Sequence, residues 1–350
     1  MTEPDWPRQI CALPRTAPRE LPEGLSGPRI SAIRLTLEKW SNGTELSYHF
    51  LEHEDWSWDE EQKDVVRWGF DQWKALGIGL RFREEPVRQR AILRIGFLPN
   101  KSWSWIGREV ERISEPDGRN MNFGWDLRTP WGHSTVLHEI GHAIGMPHEH
   151  QNPRSGIVWD EQAVYAYYNS LDPPWNEEET FDNVIRKLDP DDVEGSTWDP
   201  RSIMHYPTEP GLIAAPEQLR HDGTPANYMF SGNDIAWVRR WYPPLGAASP
   251  INPGEALPLA TVPGVQREFA IRPEHSRDYV LRTSGASDTQ IVLVETDVET
   301  GGETVLAEAE DVATPANSLL VHHLEADHTY LARVRTIYAD QGGATAFWLE

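Results

Sequence analysis

The sequence predicts an α+β domain followed by an all-β sandwich. Three observations carry this expectation. Helical and strand periodicities are mixed up to about residue 243. A Pro/Gly/Ala-rich stretch, YPPLGAASPINPGEALP, follows at 242–258. After it come short segments, several of them alternating apolar and polar, with no helical pattern.

Taken in order, residues 1–30 hold many Pro and Arg and no apolar period, and read as an irregular leader. Residues 31–243 form the first domain. Within it, Ser57 and Glu60 make a capping-box pattern, and Val66, Phe70 and Trp73 follow at helical spacing. A helix over 58–76 is expected, ended by Gly77. RAILRIGF (90–97) alternates as a strand does, and RNMNFGW (119–125) reads as an edge strand. Ser231 and Asp234 open a last helix over 232–241. Residues 244–258 read as a linker, and 259–350 as a small antiparallel sandwich with strands such as REFAI, TQIVLVE and TAFWLE.

Composition narrows the function classes. The chain has 39% hydrophobic and 25% charged residues, as soluble domains do. Its net charge of −23 disfavours nucleic acid and anionic membranes as partners. No apolar run approaches the roughly 20 residues that a membrane span needs. No secretory signal is visible at the N-terminus. The single cysteine, Cys11, permits no internal disulfide.

The chemistry concentrates in HEIGHAIGMPHEH (138–150). His138 and His142 are four apart, so a helix sets both imidazoles on one face, about 6 Å along it. Glu139 lies beside the first, where a carboxylate can reach a water without ligating the metal. Gly145 and Pro147 end the helix and turn the chain, so His148 can approach from another direction. Three neutral imidazoles leave a zinc ion open positions, as a catalytic site requires. His133 and His150 are surplus to that set and read as ordinary hydrogen-bonding histidines.

The full pattern H-E-x-x-H-x-x-G-x-x-H resembles the zinc motif of the metzincin metallopeptidases. SIMHY (202–206), together with Glu149 directly after His148, narrows the resemblance to the astacin family, over roughly residues 31–243. The resemblance implies a metzincin-like fold and one catalytic Zn2+ held by His138, His142 and His148. It implies Tyr206 as a fifth ligand in the resting state that turns to the oxyanion during turnover. Met204 would be the structural floor of the site, Glu139 the general base, and Glu149 the contact of the mature N-terminus. It implies protein or peptide substrates and secretion, with the cytoplasm left open by the missing signal. Nothing in the sequence bears on oligomeric state. The last domain is similar in pattern to the C-terminal sandwiches of bacterial secreted peptidases.

The leader departs from the family. By the resemblance the mature chain starts near residues 30–32, past Arg29, and 1–29 is a propeptide. The family's zinc-blocking F-x-G-D motif is absent. Cys11 is the candidate replacement, because a thiolate is an excellent zinc ligand. The other reading of Cys11 is an unremarkable leader thiol. The family's disulfides are missing too, and Asn152-Pro-Arg-Ser-Gly156 replaces its R-x-D-R-D segment. Two other function classes stay open: a non-catalytic binding protein on this scaffold, and a targeting role for the sandwich as the main functional unit.

Overall fold

The computed structural model describes residues 10–14, 38–52, 59–112, 118–190, 197–259, 265–285, 287–298, 300–310, 317–338 and 345–350. Ser57, Arg29 and the expected mature N-terminus lie outside these. The chain divides into two compact units. Among the described residues the first holds 10–14, Glu38–Trp40 and Leu46–Arg240, and the second holds Ser41–Glu45 and Trp241–Glu350.

The first unit begins with β1 (Glu45–Phe50) and α1 (Glu60–Ala75). The α1 cap is Asp59, whose carboxylate accepts from Gln62 N at 2.9 Å, so the helix starts two residues later than the sequence suggests. Val66, Phe70 and Trp73 are buried, as their spacing predicts, and Gly77 ends the run at φ +76°. Then come β2 (Arg81–Glu84), β3 (Leu93–Gly96), β4 (Trp103–Ser104) and β5 (Met121–Asn122). These strands form one sheet in the order β2-β1-β3-β5-β4. β1, β3 and β5 run parallel, and β4 is antiparallel to β5.

This order corrects the reading of 119–125. β5 is interior, and the edges of the sheet are β4, beside it, and β2. β4 is two residues long and gives no alternation to read, whereas Met121 and Phe123 alternate with polar neighbours around β5.

α2 (Pro130–Ala143) carries the histidines. Thr129 caps it by accepting from Gly132 N at 2.9 Å, and Pro130 sits at its first position, where no N–H is needed. α2 packs on α1: Trp73 Nε1 donates to Leu137 O at 3.1 Å, and a Cβ at Gly69 would overlap Val136. The unit continues with β6 (Val158–Trp159), α3 (Glu161–Asn169), α4 (Glu177–Thr180), a π-helical turn (Phe181–Ile185), β7 (Ile213–Ala215), α5 (Glu217–Asp222) and α6 (Gly232–Trp241). Ser231 and Asp234 cap α6 reciprocally, at 3.0 and 2.8 Å.

The second unit carries β8 (Ser249–Pro250), β9 (Ala256–Pro258), β10 (Gln266–Ile271), β11 (Arg277–Gly285), β12 (Asp288–Thr296), β13 (Glu303–Glu310), β14 (Leu319–Leu324), β15 (Thr329–Tyr338) and β16 (Thr345–Leu349). They form two sheets, β13-β12-β15-β10-β8 and β14-β11-β16-β9. Buried residues of both, among them Phe269, Leu281, Leu293, Val334 and Phe347, share one core. The stretch 244–258, expected as linker, therefore supplies an edge strand to each sheet. Its proline content hid strands that are confined to edges, where a missing N–H is tolerated. Among the described residues no helix is long and apolar enough to cross a membrane.

Candidate metal centre

α2 brings His138 and His142 to one face, as the four-residue spacing predicts. The helix stops at Ile144. Gly145 takes φ +99°, and Gly145 N and Met146 N donate to His142 O and Gly141 O at 2.8 and 3.0 Å. These bonds satisfy the last helical carbonyls and turn the chain back. His148 then returns beside the other two. His142 Nε2 lies 3.0 Å from His138 Nε2 and 3.1 Å from His148 Nε2.

Those short separations report on what belongs between the rings. His138 Nδ1 faces Ile203 O at 2.8 Å, and His142 Nδ1 faces Met146 O at 2.7 Å. Each Nδ1 must carry its proton to meet a carbonyl, so each Nε2 is a bare lone pair. Burial holds the rings neutral: it pushes the His138 pKa down to about 4 and those of His142 and His148 well below the ordinary histidine value. The bare lone pairs of His138 and His142, 3.0 Å apart, repel unless a cation lies between them. Zinc with nitrogens at about 2.0–2.1 Å in tetrahedral geometry spaces its ligands by roughly 3.3 Å, close to what is seen. The donor set fits a zinc ion.

The fourth member is Cys11. Its thiol and one nitrogen of each of the three rings all lie within 4.8 Å of one another, and all four residues are buried. Cys11 Sγ also lies 3.6 Å from Glu139 Oε2. Burial, with the Glu139 carboxylate nearby, pushes the thiol pKa well up. Glu139 is fully buried, its own pKa pushed well up by burial, and its Oε1 has no hydrogen-bond partner. A buried carboxylate oxygen without a partner is an exception among buried polar atoms, and it lies beside this cluster.

Tyr206 is buried against His148 and His150, with ring centroids at 4.4 and 4.3 Å. Its hydroxyl donates to the Cys11 carbonyl oxygen. Met204 packs directly beneath α2, where a Cβ at Gly141 would overlap its sulfur. Asp234 fixes this turn by accepting from Ser202 Oγ at 2.6 Å and Ile203 N at 2.8 Å. Glu149 is tied to Asp199 N at 2.9 Å and Asn152 Nδ2 at 3.1 Å, and burial raises its pKa to about 7.

His150 and His133 stand outside the cluster. His150 Nε2 donates to Asn183 O at 2.8 Å, and His133 packs at a tilt against Trp68, with ring centroids 4.7 Å apart. A small cavity of about 30 Å³ opens beside the cluster, lined by Ile10, Trp125, Trp131, Thr135 and Pro207 among others. Sequence reasoning missed Asn183 and the part that Asp234 plays beside the site. Asp234 carried a signal as a helix cap, while Asn183 sits in a stretch without any motif.

No family model matches the chain, and no curated protein does. Solved structures do. The structure of myroilysin is similar at 27% identity and a TM-score of 0.52, covering 60% of this chain and 97% of that one. A second, a crystal structure of myroilysin, has 27% identity and a TM-score of 0.44, covering 59% and 86%. The pre-peptidase C-terminal domain of a collagenase from Bacillus anthracis has 11% identity and a TM-score of 0.24, covering 30% and 95%. The chain is thus similar to myroilysin over more than half its length, and it holds a buried group of three histidines and a cysteine able to take a metal ion.

Proposed function

We propose that this chain is an astacin-like zinc metalloendopeptidase, made latent by its own leader. The observation that carries the reading is the convergence of three imidazole nitrogens, those of His138 and His142 held bare by their Nδ1 contacts, next to the unpartnered Glu139 oxygen. The similarity to myroilysin supports it. His138, His142 and His148 would hold one Zn2+, and in the latent form Cys11 would complete the set. Bound zinc would supply Lewis acidity, polarising a peptide carbonyl and acidifying a water.

The protein groups do the rest. The Ile203 and Met146 carbonyls fix the tautomer and orientation of two rings. Glu139 takes the proton from the attacking water and passes it to the leaving amine. Tyr206 donates to the carbonyl oxygen of the bond being cut, as it now does to the Cys11 carbonyl. In the resting, leader-free enzyme Tyr206 would be the fifth ligand, and Glu149 would meet the new N-terminus. With Cys11 in place the thiol occupies the position a water needs, so the leader inhibits.

Turnover of a fluorogenic peptide or casein tests the reading. Glu139→Gln is expected to keep the metal and lose about 10²- to 10⁴-fold in rate. Undiminished turnover by that variant removes Glu139 from the chemistry.

A further inference from the structure

The leader residues 10–14 cross the metal group, and the groups that hold them reach beyond the motif residues. A trans peptide plane sends its C=O and N–H to opposite sides, and successive N–H groups of an extended chain alternate. The contacts sort accordingly into two walls. On one side Ala12 N donates to Ser102 O at 3.0 Å, next to the edge strand β4. On the other, Tyr206 donates to Cys11 O, and Leu13 N donates to Asn183 Oδ1 at 2.8 Å.

Asn183 meets both polar groups of one residue's main chain. Its Nδ2 lies 3.5 Å from Leu13 O and 3.1 Å from Glu179 O. Only this amide orientation works, because the reverse would set Oδ1 against two carbonyls and Nδ2 against an N–H. The pairing imitates a neighbouring strand and asks nothing of the bound side chain. Asn183 is 4% exposed and sits in the π-helical turn after α4, a rare local form that recurs at functional sites. Its own carbonyl is held by His150 Nε2, which ties the turn to the loop bearing His148.

We propose that Asn183, facing the Ser102 carbonyl, is a main-chain binding site for an extended peptide. Leu13 of the leader fills it in this state, and the backbone of a substrate fills it once the leader is gone. The second half rests on the peptidase reading; the first does not.

The test uses zinc-loaded, full-length protein and its Asn183→Ala and Asn183→Asp variants. The first readout is the rate at which an aromatic disulfide reagent modifies Cys11. Loss of the Leu13 bonds is expected to raise that rate about tenfold in Asn183→Ala, with zinc content unchanged. Asn183→Asp keeps the acceptor for Leu13 N and is expected to fall between. It decides the matter if the alanine variant loses zinc or unfolds early. The second readout is peptide hydrolysis by the leader-free enzyme. For a peptide extending well to both sides of the cut, KM is expected to rise about tenfold with kcat within about twofold. For a peptide truncated short of Asn183, KM stays at the parent value.

Thiol reactivity equal to the parent in both variants overturns the proposal. Raised reactivity with an unchanged KM overturns its substrate half and leaves Asn183 a leader anchor alone. A parent that cleaves no peptide, with the thiol effect present, sinks the peptidase reading and upholds the anchor.

Discussion

The Tyr206 hydroxyl donates to the carbonyl oxygen of Cys11, the same residue whose thiol joins the three imidazoles. One leader residue therefore engages both the ligand cluster and the group proposed to stabilise the oxyanion. Tyr206→Phe removes that donor and leaves the ring packing on His148 in place. In the leader-free enzyme kcat is expected to fall about 10²- to 10³-fold with little change in KM, by steady-state kinetics on a peptide. A raised KM at unchanged kcat would make Tyr206 a ground-state contact instead.

Cys11 is the proposed latch. In the uncut chain Cys11→Ala is expected to raise peptide hydrolysis at least about tenfold over the uncut parent. The gain should fall short of full activity, because the Ser102 and Asn183 bonds to the leader remain. Activity no higher than the parent's would return Cys11 to the status of a leader thiol.

Asp234 holds the Met204 turn from a distance. Its buried carboxylate accepts from Ser202 Oγ, Ile203 N and Ser231 N. Asp234→Ala strands those donors and is expected to cost about 2–4 kcal/mol in urea unfolding of the metal-free protein. Asp234→Asn should cost less, since one oxygen still accepts. A shift under about 0.5 kcal/mol for the alanine variant would contradict the role.

What the sequence made legible was local. Four-residue spacing put His138 and His142 on one face, and Gly145 with Pro147 marked the turn that returns His148, all within a short stretch. The helix cores around Val66, Phe70 and Trp73 were legible for the same reason. What was hidden depends on chain segments far apart. Asn183 meets Leu13 across 170 residues, and no periodicity encodes that meeting. β4 was missed because Trp103 and Ser104 are too few to alternate, and its partner β5 was mistaken for the edge in consequence. β8 and β9 were hidden by prolines that only an edge position tolerates.

The central claim is that one zinc ion sits between His138, His142 and His148. Elemental analysis of purified, folded full-length protein tests it most directly. One equivalent of zinc per chain is expected, with His142→Ala failing to retain it. Folded protein that contains no zinc, and takes none up on dialysis against it, would contradict the account.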